Sequence, residues 1–423
     1  MNQNHLEEQL ESRVLFVDMN SFFASCEQQV NYYLRGRPVG VCVYTGKFGC
    51  VIAPSVEAKL RGVKTGMRLN DAIQVCPELV PIETNPARYR EFHVKIMNVL
   101  RKYAEDVLPK SIDEAVVNLS KYKLMYKDPT QIALRIKADI KNEVGDWLRC
   151  SIGIAPNTFL AKLASNLQKP DGLSIITPDN IDQVLSKLSL QDLPGIARNH
   201  ARRLEQAGIQ TPLKMRHTSP QVLREIFKSV EGYYWHYRLN FRELDINSHE
   251  YKSMQSQRQI SREQRSTVES VEQVFMTLCM RLEQRMVKHG IHCKTIGFSA
   301  RYGDNTRWDD YFSIGQPIQD GIILMNLIKE RIHQFESKYQ TNPIFTTDVR
   351  SIGVNITNFI KDPDVHPNLF EDNTRTDTLR KTVYEIKNKF GDIKLLRATE
   401  LSDNMIVKDV IGFGSVKDLW LIC

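Results

Sequence analysis

The chain has 423 residues, 42% hydrophobic and 25% charged. That is too long for one core and predicts roughly two to four domains of ordinary globular composition. No apolar run is long enough to span a bilayer, and residues 1–12 are polar and acidic, unlike a secretion signal, so a cytoplasmic protein without a membrane partner is expected. The net charge of +7 suits a nucleic-acid partner. The excess lies before residue 361, because from Lys361 onward 10 Lys+Arg face 11 Asp+Glu. The eight cysteines form no C-x-x-C pair, so reduced thiols are expected. The cluster His289, His292 and Cys293 lacks a second ligand group for zinc and reads as a helix end running into a strand.

Residues 14–18, Val-Leu-Phe-Val-Asp, read as a short buried strand ending in Asp18, with Asn20 or Ser21 capping a helix through Phe22 and Phe23. An acid where a strand hands over to a helix is a common place for catalytic groups in α/β proteins; it also serves as a simple cap. Residues 39–43 and 50–53 read as strands, 55–60 as a helix, and 63–67 as a glycine-punctuated basic loop of the kind that closes over phosphates. Residues 86–106 carry Tyr89, Phe92, Ile96, Val99, Leu100 and Tyr103 at helical spacing and lead to Ser111-Ile112-Asp113-Glu114, at the mouth of the strand-like run 115–119.

Two adjacent acids before a strand repel unless a cation is near, so a metal site explains the pair, and a solvated turn is the bland alternative. Neighbouring residues of a regular strand point to opposite faces. Both acids can therefore serve one site only at a bend, or with one acting from behind the other, which makes Asp113 the expected direct metal ligand rather than Glu114. A helix over 132–144, a strand over 150–155 and a helix from Asn157 bearing Lys162 complete the unit, and Lys169-Pro170-Asp171-Gly172 ends it. The alternation predicts an α/β catalytic unit.

Residues 192–208 place Pro194-Gly195 between short helices with Arg198, Arg202 and Arg203 nearby, like a helix-hairpin-helix whose turn faces a DNA phosphate; Ala197 stands where the second glycine is usual. From 250 to 360 the order is β-α-β-β-α-β, with strands expected at 257–262, 295–302, 311–314 and 352–359 and helices at 271–289 and 322–335. Arg258, Arg262, Arg301 and Arg307 become phosphate-contact candidates on its sheet. The tail carries Leu369-Phe370 before two acids, resembling a docking peptide, then a polar helix over 375–390.

Taken together, Val17-Asp18-Met19-Asn20-Ser21-Phe22-Phe23-Ala24-Ser25, Glu57-Ala58-Lys59 with Gly62-Val63-Lys64, Ser111-Ile112-Asp113-Glu114-Ala115, and Ser151 to Ala155 continuing to Leu160-Ala161-Lys162-Leu163-Ala164 resemble the Y-family translesion DNA polymerases, most of all the UmuC type. The resemblance implies an α/β multidomain right hand, with a palm over 11–20 and 86–180, fingers over 21–85, a helix-hairpin-helix thumb over 181–245, a split β-α-β little finger over 250–360 and a tail over 361–423. It implies error-prone, DNA-templated DNA synthesis past damage in the SOS response, by two Mg²⁺ ions, with Mn²⁺ as a substitute. Asp18, Asp113, Glu114 and the carbonyl of Met19 match the family's metal-binding positions. Lys162 matches its triphosphate lysine, Phe23 beside Phe22 its steric gate, and Lys59 the place of a phosphate-contacting arginine. Val56 stands where many members have tyrosine and where the UmuC type commonly has a small residue. DNA contacts would fall to Gly195, Ala197, Arg198, Arg258, Arg262 and Arg301. Primer-template DNA and deoxynucleoside triphosphates are the implied partners, with a sliding clamp at Leu369 and Phe370, a UmuD-like accessory protein and a recombinase filament. The competing functions are a polymerase-inactive DNA-binding paralogue and a two-metal nuclease.

Overall fold

The computed structural model describes residues 10–46, 49–245, 251–365, 374–390 and 395, in two compact units that divide between Asn247 and Ser248. In the first, β1 (Val14–Met19) is buried at all six positions. It lies at the centre of a five-stranded sheet ordered β5-β6-β1-β7-β8, where β5 is Val107–Pro109, β6 Glu114–Asn118, β7 Cys150–Ala155 and β8 Leu173–Ile175. A strand covered on both faces reads as an unbroken apolar run. Leu15, Val17 and Met19 pack with α1 (Phe22–Val30), α4 (Pro86–Leu100) and α5 (Pro129–Asp139); Val14 and Phe16 pack with Phe159, Leu160 and Leu163 of α6 (Thr158–Leu167). β1 runs antiparallel to both β6 and β7, with Asp18 opposite Glu114 on one side and Ser151 on the other.

Local chemistry sets the helix starts. Asn85, Asp128 and Asn157 accept backbone N–H groups of the first turns of α4, α5 and α6, and Pro86 and Pro129 sit where a missing N–H costs nothing. α4 ends at Leu100 rather than 106, and α5 continues as a wider π turn over Ile140–Val144. Neither expected side-chain cap forms at α1. Ser21 takes the cap position at φ 48° without capping, and Asn20 bonds elsewhere.

A second sheet, ordered β3-β2-β4 (β2 Val39–Cys42, β3 Val51–Pro54, β4 Val80–Glu83), carries α2 (Val56–Leu60) and α3 (Leu69–Val75) over a small core of Cys42, Val51, Ala58, Leu69 and Leu79. Helices α7 to α11 follow (Ile181–Leu185, Arg198–Gln206, Pro212–His217, Pro220–Phe227, Glu231–Leu239). Trp235 of α11 lies edge-on to Phe159, ring centroids 5.3 Å apart.

The second unit has the expected β-α-β-β-α-β order: β9 Ser253–Gln259, α12 Val268–His289, β10 Ile291–Tyr302, β11 Arg307–Ile318, α13 Gly321–Tyr339 and β12 Val349–Lys361, in a sheet ordered β11-β10-β12-β9. Phe298, Ile352 and Val354 face Phe275, Leu278 and Leu324 of the helices. His289 ends α12 and Ile291 opens β10, as the sequence suggested. β9 runs over Ser253–Gln259 rather than 257–262, so Arg262 lies beyond its end. The tail helix α14 (Thr374–Phe390) docks through Tyr384, which donates to Glu283 at 3.0 Å, and through the buried Arg380–Asp320 pair, also 3.0 Å. Leu369 and Phe370 lie outside the described residues. No helix among the described residues is long and apolar enough to cross a membrane.

Candidate active site

Asp113 lies on a bend just before β6, and Glu114 opens that strand. Ser111 Oγ donates to Asp113, and the Asp113 carbonyl accepts Met19 N–H at 2.9 Å, fastening the bend to β1. His93 of α4, fully buried, donates from Nδ1 to the Ile112 carbonyl at 2.8 Å; burial pushes its pKa down, which favours the neutral donor form.

A cavity of about 430 Å³ opens over this bend. Asp18, Met19 and Asp113 form its floor and Phe22 and Phe23 one wall; Ile52, Ala53, Val56 and Lys59 come from the small β3-β2-β4 subdomain, and Lys169 from the loop after α6. Phe23 is held flat against Tyr89, centroids 4.4 Å apart and planes 13° apart. Tyr89 in turn donates to the buried Glu27 at 2.9 Å, and Arg88 pairs with the same carboxylate. The aromatic wall therefore stands on a buried, charge-satisfied support.

Electrostatics mark the floor as the strained part. Burial raises the Asp18 pKa to about 6, against the pull of Lys169 and with help from Glu114 and Asp113. Burial also raises Asp113, opposed by the Ser111 hydrogen bond and helped by Glu114. Lys59 is pushed down, first by burial and then by Lys169. Carboxylates kept buried at this cost are characteristic of functional sites.

Lys169, read from the sequence only as the end of the unit, places Nζ 2.7 Å from Asp18 Oδ2. It reaches the site because Asn20 accepts the N–H of Asp171 at 2.6 Å and donates to Ser151 at 3.1 Å, drawing the loop onto β1. No local sequence signal carries that long-range tie. Lys162, expected on the triphosphate, is not among the cavity-lining residues; its Nζ is 3.1 Å from both carboxylate oxygens of Glu114. Glu114, likewise outside the lining, is turned toward α6.

The donor set suits a hard divalent cation: the buried Asp18, the half-buried Asp113 and Met19 line one cavity, and oxygen donors are what such ions take. Among the described residues no three His, Cys, Asp or Glu side chains are gathered in ligand geometry, because Asp18 is turned to Lys169 and Glu114 to Lys162.

Away from the cavity, Gly195 takes φ +95°, which a side chain rarely adopts, and is exposed with Ala197 and Arg198 at the start of α8. In the second unit Arg301 pairs in register with Ser351 and Arg307 and alternates with the buried Ala300, so it lies on the sheet face away from the helices. The expectation for Arg258 is corrected. It pairs with Ile352, shares the face of Met254 and Ser256, and is half-buried on the helix side. Arg262 is exposed in the turn after β9.

The chain matches the sequence model of the impB/mucB/samB family over residues 17–166 and that of the family's C-terminal domain over 251–369. It is similar in structure to a Y-family DNA polymerase chimera, Dbh-Dpo4(243-245)-Dbh, with a TM-score of 0.69 and 26% identity over 82% of this chain and 99% of that one. The chain belongs to the Y-family of DNA polymerases. Its Y-family relatives include DNA polymerase IV of Pelotomaculum thermopropionicum, 29% identical over 402 residues (94% of this chain, 97% of that one), and DNA polymerase IV 1 of Bacillus subtilis, 28% identical over 400 residues (91% and 92%). The insertion ternary complex of Dbh DNA polymerase is similar with a TM-score of 0.57 and 26% identity over 82% of this chain and 99% of that one. The fold is thus the Y-family α/β multidomain fold and the activity class DNA-directed DNA polymerase of the translesion type. Divalent metal is the family's cofactor.

Proposed function

We propose that the cavity over Asp18 and Asp113 joins a primer 3′-hydroxyl to the α-phosphorus of a deoxynucleoside triphosphate, releasing pyrophosphate, and that it does so opposite damaged template. The observation that carries this is the cavity itself, lined by the carboxylates of Asp18 and Asp113, an aromatic wall at Phe22 and Phe23, and the lysines Lys59 and Lys169, the second paired with Asp18. Asp18, Asp113 and the Met19 carbonyl would hold Mg²⁺, two ions by the family pattern and replaceable by Mn²⁺, with Glu114 completing the site on the primer side. Bound there, the metal supplies charge neutralisation and a lowered pKa for the attacking hydroxyl.

The protein's own groups do the rest. Lys169 and Lys59 stand where the triphosphate's negative charge would lie. Lys59 offers a point charge where an arginine would offer a fork. Phe23, braced by Tyr89, would clash with a ribose 2′-hydroxyl. The exposed turn at Gly195 and the sheet face bearing Arg301 would hold primer-template DNA by its phosphates. Val56 and Lys59 favour the UmuC subtype, and with it a role in the SOS response, a cytoplasmic and nucleoid location, and contacts with a sliding clamp, a UmuD-like protein and a recombinase filament.

The test is primer extension with Mg²⁺ on a template carrying an abasic site, with and without a clamp. Insertion opposite the lesion is the expected outcome. DNA binding without any extension on intact or abasic template would favour the polymerase-inactive paralogue instead.

A further inference from the structure

We propose that Lys162 is a positioning residue for Glu114 and not a contact to the incoming nucleotide; this rests on the polymerase function proposed above. The strand register puts Asp18 and Glu114 directly opposite each other on β1 and β6. Directly opposed like charges repel, and left alone the two carboxylates would splay. Lys162 prevents this from the other side. It rises from the second turn of α6, the helix that covers this face of the sheet, and its Nζ is 3.1 Å from both Glu114 oxygens.

Three features fix the ammonium in that place. Its Nζ lies 5.2 Å from the ring centre of Phe16, two residues before Asp18 on the same strand. α6 is locked at its start by Asn157, which accepts Leu160 N–H at 2.8 Å and donates to the carbonyls of Arg238 and Arg242 at 2.8 and 3.1 Å. Glu243 accepts both the N–H and the hydroxyl of Thr158, at 2.8 and 2.7 Å. The lysine's base is thus rigid, and a two-oxygen grip on the carboxylate sets both its distance and its rotation.

Lys162 is absent from the cavity lining, whereas Lys169 and Lys59 are part of it. The lysines therefore divide the labour: two face the substrate cavity, and one holds the third acid on the sheet's α6 face, ready to act at the primer side. A phosphate-contacting lysine and a carboxylate-positioning lysine predict different kinetics. Loss of the first weakens nucleotide binding and raises KM. Loss of the second leaves binding intact and slows the chemical step.

The experiment is single-turnover primer extension by the full chain in Mg²⁺, comparing wild type, Lys162→Met, Lys162→Arg, Glu114→Gln and the double variant Lys162→Met/Glu114→Gln, with Asp113→Asn as control. The maximal rate of Lys162→Met should fall on the order of 10- to 100-fold, the size of one lost charge-assisted contact at a reacting centre, with the nucleotide KM within about threefold of wild type. Lys162→Arg should recover most of the rate. In the Glu114→Gln background the Lys162→Met change should cost almost nothing further, because its target is already gone. A raised KM with an unchanged rate, or full additivity of the two losses, would overturn the positioning role while leaving the polymerase assignment intact. Extension by Asp113→Asn at the wild-type rate would overturn the assignment itself, and the role of Lys162 with it.

Discussion

At the scale of single residues, Asp18 shows what the site costs. The residue is 8% exposed and lies near two other acids, and burial lifts its pKa from 3.8 to about 6. Folding therefore favours the protonated form. The stabilisation that form provides is complete below about pH 4 and is lost as pH rises through 6. At neutral pH the ionised group destabilises the fold by on the order of 2–3 kcal/mol. Lys169 pulls the pKa the other way without cancelling the effect of burial. Asp18→Asn should thus raise the Tm in metal-free buffer at pH 7.5, and the gain should shrink as pH falls through 6 and vanish below about pH 4, as read by thermal melts across that range. A variant less stable than wild type at pH 7.5 would mean that the Lys169 ion pair outweighs burial. The same accounting explains why the acids sit on a strand and a bend tied to it by backbone hydrogen bonds: a looser frame would let them turn to solvent.

At the scale of elements, strand register decides which side chains face where, and a shift of one residue exchanges the faces. β9 shows the consequence. Arg258, a phosphate-contact candidate from its place on the strand, is paired by the observed ladder with Ile352 on the helix side. The open face carries Gln255, Gln257, Gln259 and Arg301 instead. Arg301→Ala should weaken binding to primer-template DNA equally for all sequences and reduce the slope of log affinity against log salt by about 1. Arg258→Ala should leave that slope unchanged. Fluorescence anisotropy between 50 and 200 mM salt, the range over which such slopes are read, separates the two, and equal slope changes for both would contradict the register argument.

At the scale of the whole molecule, local and long-range determinants were unequally legible. The buried strand at 14–18, the Asn157 cap and the β-α-β-β-α-β order could be read directly, because apolar period and capping chemistry act within a few residues. The partner of each lysine could not. Lys169 reaches Asp18 through Asn20, 149 residues earlier in the chain and joined to it only by folding, and Lys162 finds Glu114 only because α6 packs on that face of the sheet. The Tyr89–Glu27 support of Phe23 is hidden for the same reason: its members are spread over α1 and α4 and look like ordinary core and surface positions. Every residue lining the cavity lies between Asp18 and Pro170, so the chemistry belongs to the first unit.

The central claim, that the carboxylates on this floor perform nucleotidyl transfer, is tested most directly by Asp113→Asn. The substitution keeps the shape of the side chain and removes its charge. Single-turnover primer extension in Mg²⁺ should fall to background, while primer-template affinity, measured on the same preparation, stays within about twofold of wild type. Extension at the wild-type rate by Asp113→Asn would contradict the account.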